Sequence, residues 1–432
     1  MQKIVLLFLL ISSLLDAVEA HKEADNWGAG IVLRSASIPY QDPAIGAPKT
    51  DDYVDSAIPL LFYENEYFFL NGIEGGVKFY ESESWRVSLL SRLRFVNIPE
   101  SYQNANQLDT FDWGMQLRYK LNRRNFFDTE VMSDLEGNYY TDFSYRGKYK
   151  FNSLNVEPYA TARVKSAKFN SYYYGLLEEI DSGVDLRAGV HASYHIDSNF
   201  YLLAGVRVVG LDSAAKSSTL VDKNYEYSGF AGIGFMRDHS TKKSKELAIT
   251  PYIRISHGYA THSDIDQILG GSIPKEPYGN TLTSIFYGYP LTDELFSIPF
   301  HIYITPGFVW HHKSEVQDNL REYVLAIKAY YVIPLPIRLR IGMAEGISYV
   351  SEVTYIEKTD VNGDGFEESR VLNYLDFSFD VNVGDFIFVE SFEKAWFGVN
   401  VHHRSGIFEY SSQYGRISGG SNYPSIHLQI DF

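Results

Sequence analysis

The sequence predicts an all-β protein built of antiparallel transmembrane β-barrels, and three observations lead to that fold class. Apolar and polar side chains alternate with a period of two over many segments of roughly ten residues, the length of a tilted membrane strand. Tyr, Phe and Trp make up 16% of the 432 residues, with 34 Tyr and 28 Phe, and they gather on the apolar sides of those segments. The chain opens on a leader-like stretch and closes on Ile426, Leu428, Ile430 and Phe432, an alternating strand with an aromatic last residue. A soluble sandwich with one wet face would also alternate. The leader and the aromatic faces favour the barrel, one of only two ways to satisfy every backbone group in lipid.

Residues 1–20, MQKIVLLFLLISSLLDAVEA, have the form of a secretory signal. Lys3 supplies the positive start, Ile4 to Leu15 a core too short to span a bilayer, and Val18-Glu19-Ala20 a cleavage site, so the mature chain is expected to begin near His21. No later segment approaches the roughly 18–20 continuous apolar residues of a membrane helix. The formal net charge of −16 argues against a nucleic-acid partner. The absence of cysteine removes disulfides, thiolate metal sites and cysteine nucleophiles.

The alternation is clearest in 111–121, where Phe111, Trp113, Met115, Leu117, Tyr119 and Leu121 interleave with Asp112, Gly114, Gln116, Arg118 and Lys120. It recurs in 141–151, 85–95, 200–210, 337–349 and 395–407. Residues 237–246, RDHSTKKSKE, are charged and unpatterned and read as a linker, with Tyr225 to Phe235 as a closing strand before it. Eight candidate strands follow, at about 247–258, 281–290, 299–312, 320–333, 336–350, 372–383, 395–407 and 421–432, and roughly ten to twelve precede. The expected organisation is a signal peptide (1–20), a first barrel (21–236), a linker (237–246) and an eight-stranded barrel (247–432). A single merged barrel of some 18–20 strands is the rival.

The first half resembles the MipA/OmpV family of outer-membrane proteins (MltA-interacting protein). Trp27-Gly28-Ala29-Gly30 running to Ile38-Pro39-Tyr40, IPLLFYENEYFFLNG at 58–72, EPYATARVKSAKFNSYYYGL at 157–176 and LDS at 211–213 carry the resemblance over about 27–236. It implies an outer-membrane barrel and, from one member, a scaffold for murein-synthesising and murein-cleaving enzymes. From the residues alone, YYYG reads as an interfacial aromatic cluster. The second half, about 247–432, looks like the PagL-type lipid A deacylases on GISYVS (346–351), HHRSG (402–406) and GGSNY (419–423). That resemblance implies a serine-hydrolase site on His403 and Ser405. It sets the acid near Asn422, an amide that cannot become a carboxylate.

Parity gives these two residues a location. On 395–407 the odd residues Phe397, Val399, Val401, His403 and Ser405 form the apolar face, and His402 and Arg404 point the other way as ordinary lumen residues. His403 and Ser405 therefore project toward lipid. With both ends of the barrel periplasmic, the seventh strand runs outward and ends at outer-leaflet height. Neutral His403 could accept the Ser405 proton during attack on an ester carbonyl. Glu409 and Glu345 are the carboxylate candidates to orient the imidazole, Asn422 could do so as an amide, and Gly419 and Gly420 could offer N–H groups to an oxyanion. The competing reading is a polar rim at headgroup level.

DVNGDGFEE at 360–368 sets Asp360, Asn362, Asp364 and Gly365 at positions 1, 3, 5 and 6 of an EF-hand-like loop, with Glu368 at position 9 and Val371 where the bidentate Glu would be. This is either a Ca²⁺ site in an external loop or an Asp/Asn/Gly turn. His311 and His312 should face opposite ways and so form no joint metal site. Lys242, Lys243 and Lys245 solvate the linker or meet lipopolysaccharide phosphate. Function then divides between a non-enzymatic envelope scaffold of the MipA/OmpV type and a lipid A ester deacylase with a lipid-facing His-Ser site. Neither requires a cofactor. The expected location is the outer membrane of a Gram-negative bacterium. Outer-membrane lipid and, by resemblance, murein enzymes are the expected partners.

Overall fold

The structure, a computed structural model, describes residues 26–40, 52–95, 97, 110–175, 178–237, 247–360, 367–406 and 417–432. The leader expectation falls outside these, as does the linker expectation except for Arg237, which ends the strand Tyr225–Arg237 opposite Trp27. In chain order the strands are β1 (Asn26–Ser37), β2 (Tyr53–Glu64), β3 (Phe68–Gly72), β4 (Glu74–Glu81), β5 (Trp85–Arg94), β6 (Thr110–Lys120), β7 (Asn125–Ser133), β8 (Tyr139–Gly147), β9 (Tyr149–Phe151), β10 (Leu154–Lys165), β11 (Gly183–Asp197), β12 (Phe200–Gly210) and β13 (Tyr225–Arg237). They continue as β14 (Tyr252–Tyr259), β15 (Thr281–Thr292), β16 (Phe300–His311), β17 (Leu320–Ile333), β18 (Leu339–Val350), β19 (Glu367–Glu368), β20 (Val371–Asn382), β21 (Ala395–Ser405), β22 (Ile417–Ser418) and β23 (Gly420–Asp431).

Two barrels close separately. β1 pairs with β13, and β9 prolongs β8, so the first wall has 12 staves. β14 pairs with β23, closing the second barrel over eight strands, while β19 and β22 form a small parallel pair between two loops. The single merged barrel is thereby excluded. The period-two pattern decides which face meets lipid: on β6, Trp113 is 50% and Met115 45% exposed, while Asp112 and Gln116 are 0% and 2% exposed. No helix among the described residues is long and apolar enough to cross a membrane. Connections at the end nearest the linker are mostly short and those at the other end longer, the asymmetry expected between the periplasmic and exterior ends of an outer-membrane barrel, and the two ends take those names.

The first barrel departs from regularity in its third and fourth staves. β3 is 5 residues long, and Gly72 turns the chain back at a positive φ of 70° that a side chain would resist. β2 therefore pairs with β3 only over Leu61–Glu64. At the outer end, Ala167–Asn170 and the following turn Ser171–Gly175 fold into the mouth. Tyr173 and Tyr174 are buried there with Tyr40, Phe169, Leu211 and Val221. This corrects the reading of YYYG as an interfacial cluster: the tyrosines cap the lumen, and Tyr172 alone of the three is exposed. Beneath the cap lies a cavity of about 730 Å³.

The second barrel is filled. Arg254 and Lys328 both contact Asp376, Arg340 Nε donates to Asp380 at 2.7 Å, and Tyr330 Oη to Gln429 at 2.9 Å. The barrels meet near their periplasmic ends, where Ala29, Phe200 and Phe235 pack against Leu291 and Ile302. Trp27 meets Tyr289 edge-on at 5.2 Å, and Asn199 Nδ2 donates to the Leu291 carbonyl at 2.7 Å.

Candidate functional site

The alternation that builds β21 and β23 also builds the site. Gly398, Asn400, His402 and Arg404 turn inward, which sends Phe397, Val399, His403 and Ser405 outward. The antiparallel register sets His403 opposite Asn422 and Ser405 opposite Gly420. His403 Nδ1 lies 2.7 Å from Asn422 Oδ1, and Asn422 Nδ2 donates to the Ser263 carbonyl at 3.0 Å. The second bond fixes which way the amide points, so its oxygen must receive a proton from the ring. That sets the tautomer: Nδ1 carries the hydrogen and Nε2 keeps its lone pair. The segment after β14 helps hold Asn422, since Thr261 N donates to the Asn422 carbonyl at 2.9 Å. His403, Ser405 and Asn422 are half-buried at the outer end of the wall. Below them Phe397, Val399, Ile426 and Leu428 present an exposed apolar surface.

On the other side of Ser405, the register brings in Asn373 of β20. It faces outward, is 1% exposed, and neither its Oδ1 nor its Nδ2 has a partner among the described residues. A buried, unsatisfied amide is costly and marks a functional candidate. The sequence reasoning missed it, although the signal was available: Asn373 sits on the outward parity with Leu375, Phe377 and Phe379, the same anomaly that singled out His403.

The inner face of the same strands is locked. His402 Nε2 meets Glu322 at 3.1 Å, and His311 meets it at 2.7 Å. Arg404 donates to Ser348 Oγ at 2.9 Å and to Glu357, which enters the barrel mouth from the turn Tyr355–Asp360 and also accepts from Ser421 Oγ at 2.7 Å. His402 and Arg404 are thus not ordinary water-lining residues; they are buried partners that fix the backbone bearing His403 and Ser405.

The remaining expectations divide. Glu345 is exposed on the outward face at matching height. Through Leu375, however, it is two strands from His403, roughly 10 Å at ordinary strand spacing, so the ring's partner is the amide. Gly419 is left-handed at φ 106°, and its carbonyl accepts from Gly406 N. His311 and His312 do separate to opposite faces: His312 reaches Thr283 on the outside at 2.8 Å. Glu409, Asn362, Asp364, Gly365, Lys242, Lys243 and Lys245 lie outside the described residues, as does the side chain of Asp360; Glu368 is exposed.

Residues 44–236 match the family model described as MltA-interacting protein MipA. No curated protein matches the chain. Among solved structures, Pseudomonas putida OprB at high pH is 10% identical, with 98% of this chain and 96% of that one covered at a TM-score of 0.25. Acinetobacter baumannii OccAB3 is 11% identical, with 94% and 99% covered at 0.22. A loop L8 deletion mutant of Vibrio cholerae OmpT is 7% identical, with 95% and 100% covered at 0.21.

Proposed function

We propose that this outer-membrane chain, whose residues 44–236 match the MipA family model, is a two-barrel protein whose second barrel hydrolyses acyl esters of outer-leaflet lipid, lipid A being the substrate class. The observation that carries the reading is the His403 Nδ1 to Asn422 Oδ1 hydrogen bond of 2.7 Å, on the lipid side of the wall beside Ser405. Ser405 stands two residues along the same face of β21, and hydrolysis requires Nε2 to reach its hydroxyl. Ser405 Oγ attacks the ester carbonyl as its proton passes to Nε2. Asn373 Nδ2 supplies a donor to the developing oxyanion. The proton then leaves with the alcohol, and water, activated by the same nitrogen, releases the fatty acid. Asn422 orients the ring without charge, an amide version of the usual acid.

Lipid A mass spectra from outer membranes carrying the protein test this. Loss of one acyl chain, absent with Ser405→Ala, is the expected result. Identical acylation with and without the protein would end the proposal.

A scaffold role for the chain is the second reading, and one observation favours it. At the periplasmic end of the second barrel, Phe386, Ile387 and Phe388 are exposed at 62%, 43% and 88%. An apolar turn facing the periplasm suits a protein partner, MltA being the one the family name offers. Co-purification of MltA that is lost with Phe386→Ser and Phe388→Ser would support it, and an absence of co-purification would remove it.

A further inference from the structure

We infer that the lumen of the first barrel binds a single-chain amphiphile with an anionic head, carboxylate or phosphate. The inference stands apart from the hydrolase reading. Eleven Arg and Lys line the cavity against five Asp and Glu, in a chain whose net charge is −16. Most of these cations are matched: Arg92 with Glu130, Arg118 with Asp128 and Arg163 with Asp142. Arg34 and Arg207 are not. Neither has a carboxylate within ion-pair distance among the described residues.

Arg34 is 7% exposed; its Nη2 donates to Asn97 Oδ1 at 2.7 Å, and its Nη1 has no partner. Arg34 lies opposite Phe230 of β13, and Arg207 opposite Ser228 of the same strand, so the two guanidiniums flank β13 inside the barrel. Arg207 is among the charges acting on Arg34. Glu226 is the carboxylate near both, and its oxygens already accept from Tyr174 and Asn97. One buried and one half-buried guanidinium facing one occupied carboxylate leave room for one more anion.

The wall next to this pair is apolar: Val32, Ile58, Tyr201 and Leu203 are buried, with Phe62 and Phe230 packed against them. It runs from the Arg pair toward the periplasmic end. The tyrosine cap closes the outer mouth, so a ligand comes from the periplasm or from the membrane. On the flank where β3 ends early, residues 53–60 pair with β1 on one edge and with no other strand among the described residues on the other, and Ile58, Leu60, Ile73 and Leu93 line the cavity there. A cation pair above an apolar wall of this size fits an acyl chain with a charged head and fits a free inorganic anion poorly.

Titration calorimetry on the full chain in phosphatidylcholine nanodiscs tests the inference, with palmitate, palmitoyl lysophosphatidate, hexadecanol and inorganic phosphate as probes. The expected result is saturable binding of at least one of the two acyl anions, with hexadecanol at least tenfold weaker and phosphate unbound. The tighter of the two acyl anions identifies the head. Arg34→Gln with Arg207→Gln should weaken binding at least tenfold while heat-modifiable migration is kept. Arg207→Gln alone, which removes no described hydrogen bond, should weaken it several-fold and serves if the double variant does not fold. Hexadecanol binding as tightly as palmitate, no binding of either acyl anion, or affinity unchanged in Arg207→Gln would overturn it.

Discussion

Arg404 Nη1 lies 2.5 Å from Glu357 Oε1 inside the second barrel, with both side chains buried. Glu357 also accepts from Ser421, so one carboxylate ties β21 to β23 on the inside while His403 and Asn422 join the same strands on the outside. Glu357→Ala leaves the Arg404 charge buried without its main partner and should cost about 3–5 kcal/mol. The urea midpoint of the refolded protein reads this. Adding Arg404→Met should recover most of the loss; a midpoint that stays low in the double variant would show that the bond is not the cause.

Ser405→Ala and Asn373→Ala should differ in kind. The first removes the nucleophile and should leave ester hydrolysis at background. The second removes only an oxyanion donor and should lower kcat by about 10²–10³-fold with KM little changed. A p-nitrophenyl ester assay in detergent separates them. An Asn373→Ala enzyme with unchanged kcat would return Asn373 to the role of an unsatisfied structural amide.

Asn422→Asp should convert the amide-oriented site into one with an acid. A carboxylate there accepts the same Nδ1 hydrogen and stabilises the imidazolium formed during attack, so hydrolysis at pH 7 should rise about tenfold or more. The gain requires the ionised form, so it is present above the ordinary aspartate value of about 4 and lost as pH falls through it. Asn422→Leu should instead fall below the parent at every pH. Equal rates for all three proteins would mean that His403 takes no part in the chemistry.

Much of this was legible because side-chain parity on a strand is a local property. The eight strands after the linker lie within a few residues of where alternation puts them, and His403 and Ser405 face outward as parity requires. What sequence could not supply came from loops and from register. Glu357 reaches the site from a turn that lies 47 residues before Arg404 in the chain, and nothing in its local pattern marks it. YYYG has the composition of a girdle whether the tyrosines face lipid or fold into the mouth; only the turn after Ser166 decides. The choice between Glu345 and Asn422 depended on pairing, which sets the amide opposite His403 and the carboxylate two strands away. Asn373 needed no structure to be noticed, only the parity test applied to β20.

The two barrels should fold independently. Each closes through its own hydrogen bonds, β1 to β13 and β14 to β23. The faces that join them are largely apolar, with Asn199–Leu291 and Ser198–Thr292 as polar contacts, and lipid would cover most of that surface equally well, so their contact adds little drive to either fold. Residues 247–432 expressed alone should give a heat-modifiable, protease-resistant species. A fragment that folds only when residues 1–246 are supplied would place the Trp27–Tyr289 interface among the folding contacts.

The cap of the first barrel should loosen in acid. Asp134 accepts from Tyr173 Oη at 2.5 Å, and Lys165 Nζ lies 2.6 Å from Asp212. Burial by itself would raise both carboxyls, but hydrogen bonds from Tyr173 and Asn138 to Asp134, and from Lys165 and Ala215 to Asp212, hold them below the usual carboxylate range. A group depressed in the folded state stabilises it above its unfolded value of about 4, and that contribution disappears as pH drops through the folded value. Hydrogen exchange in 166–175, corrected for intrinsic rate, should therefore quicken between pH 5 and pH 3 while the strands stay protected. Asp134→Asn with Asp212→Asn should exchange quickly at both. Protection that is the same at pH 3 and pH 5 in the parent would show that these carboxylates do not hold the cap.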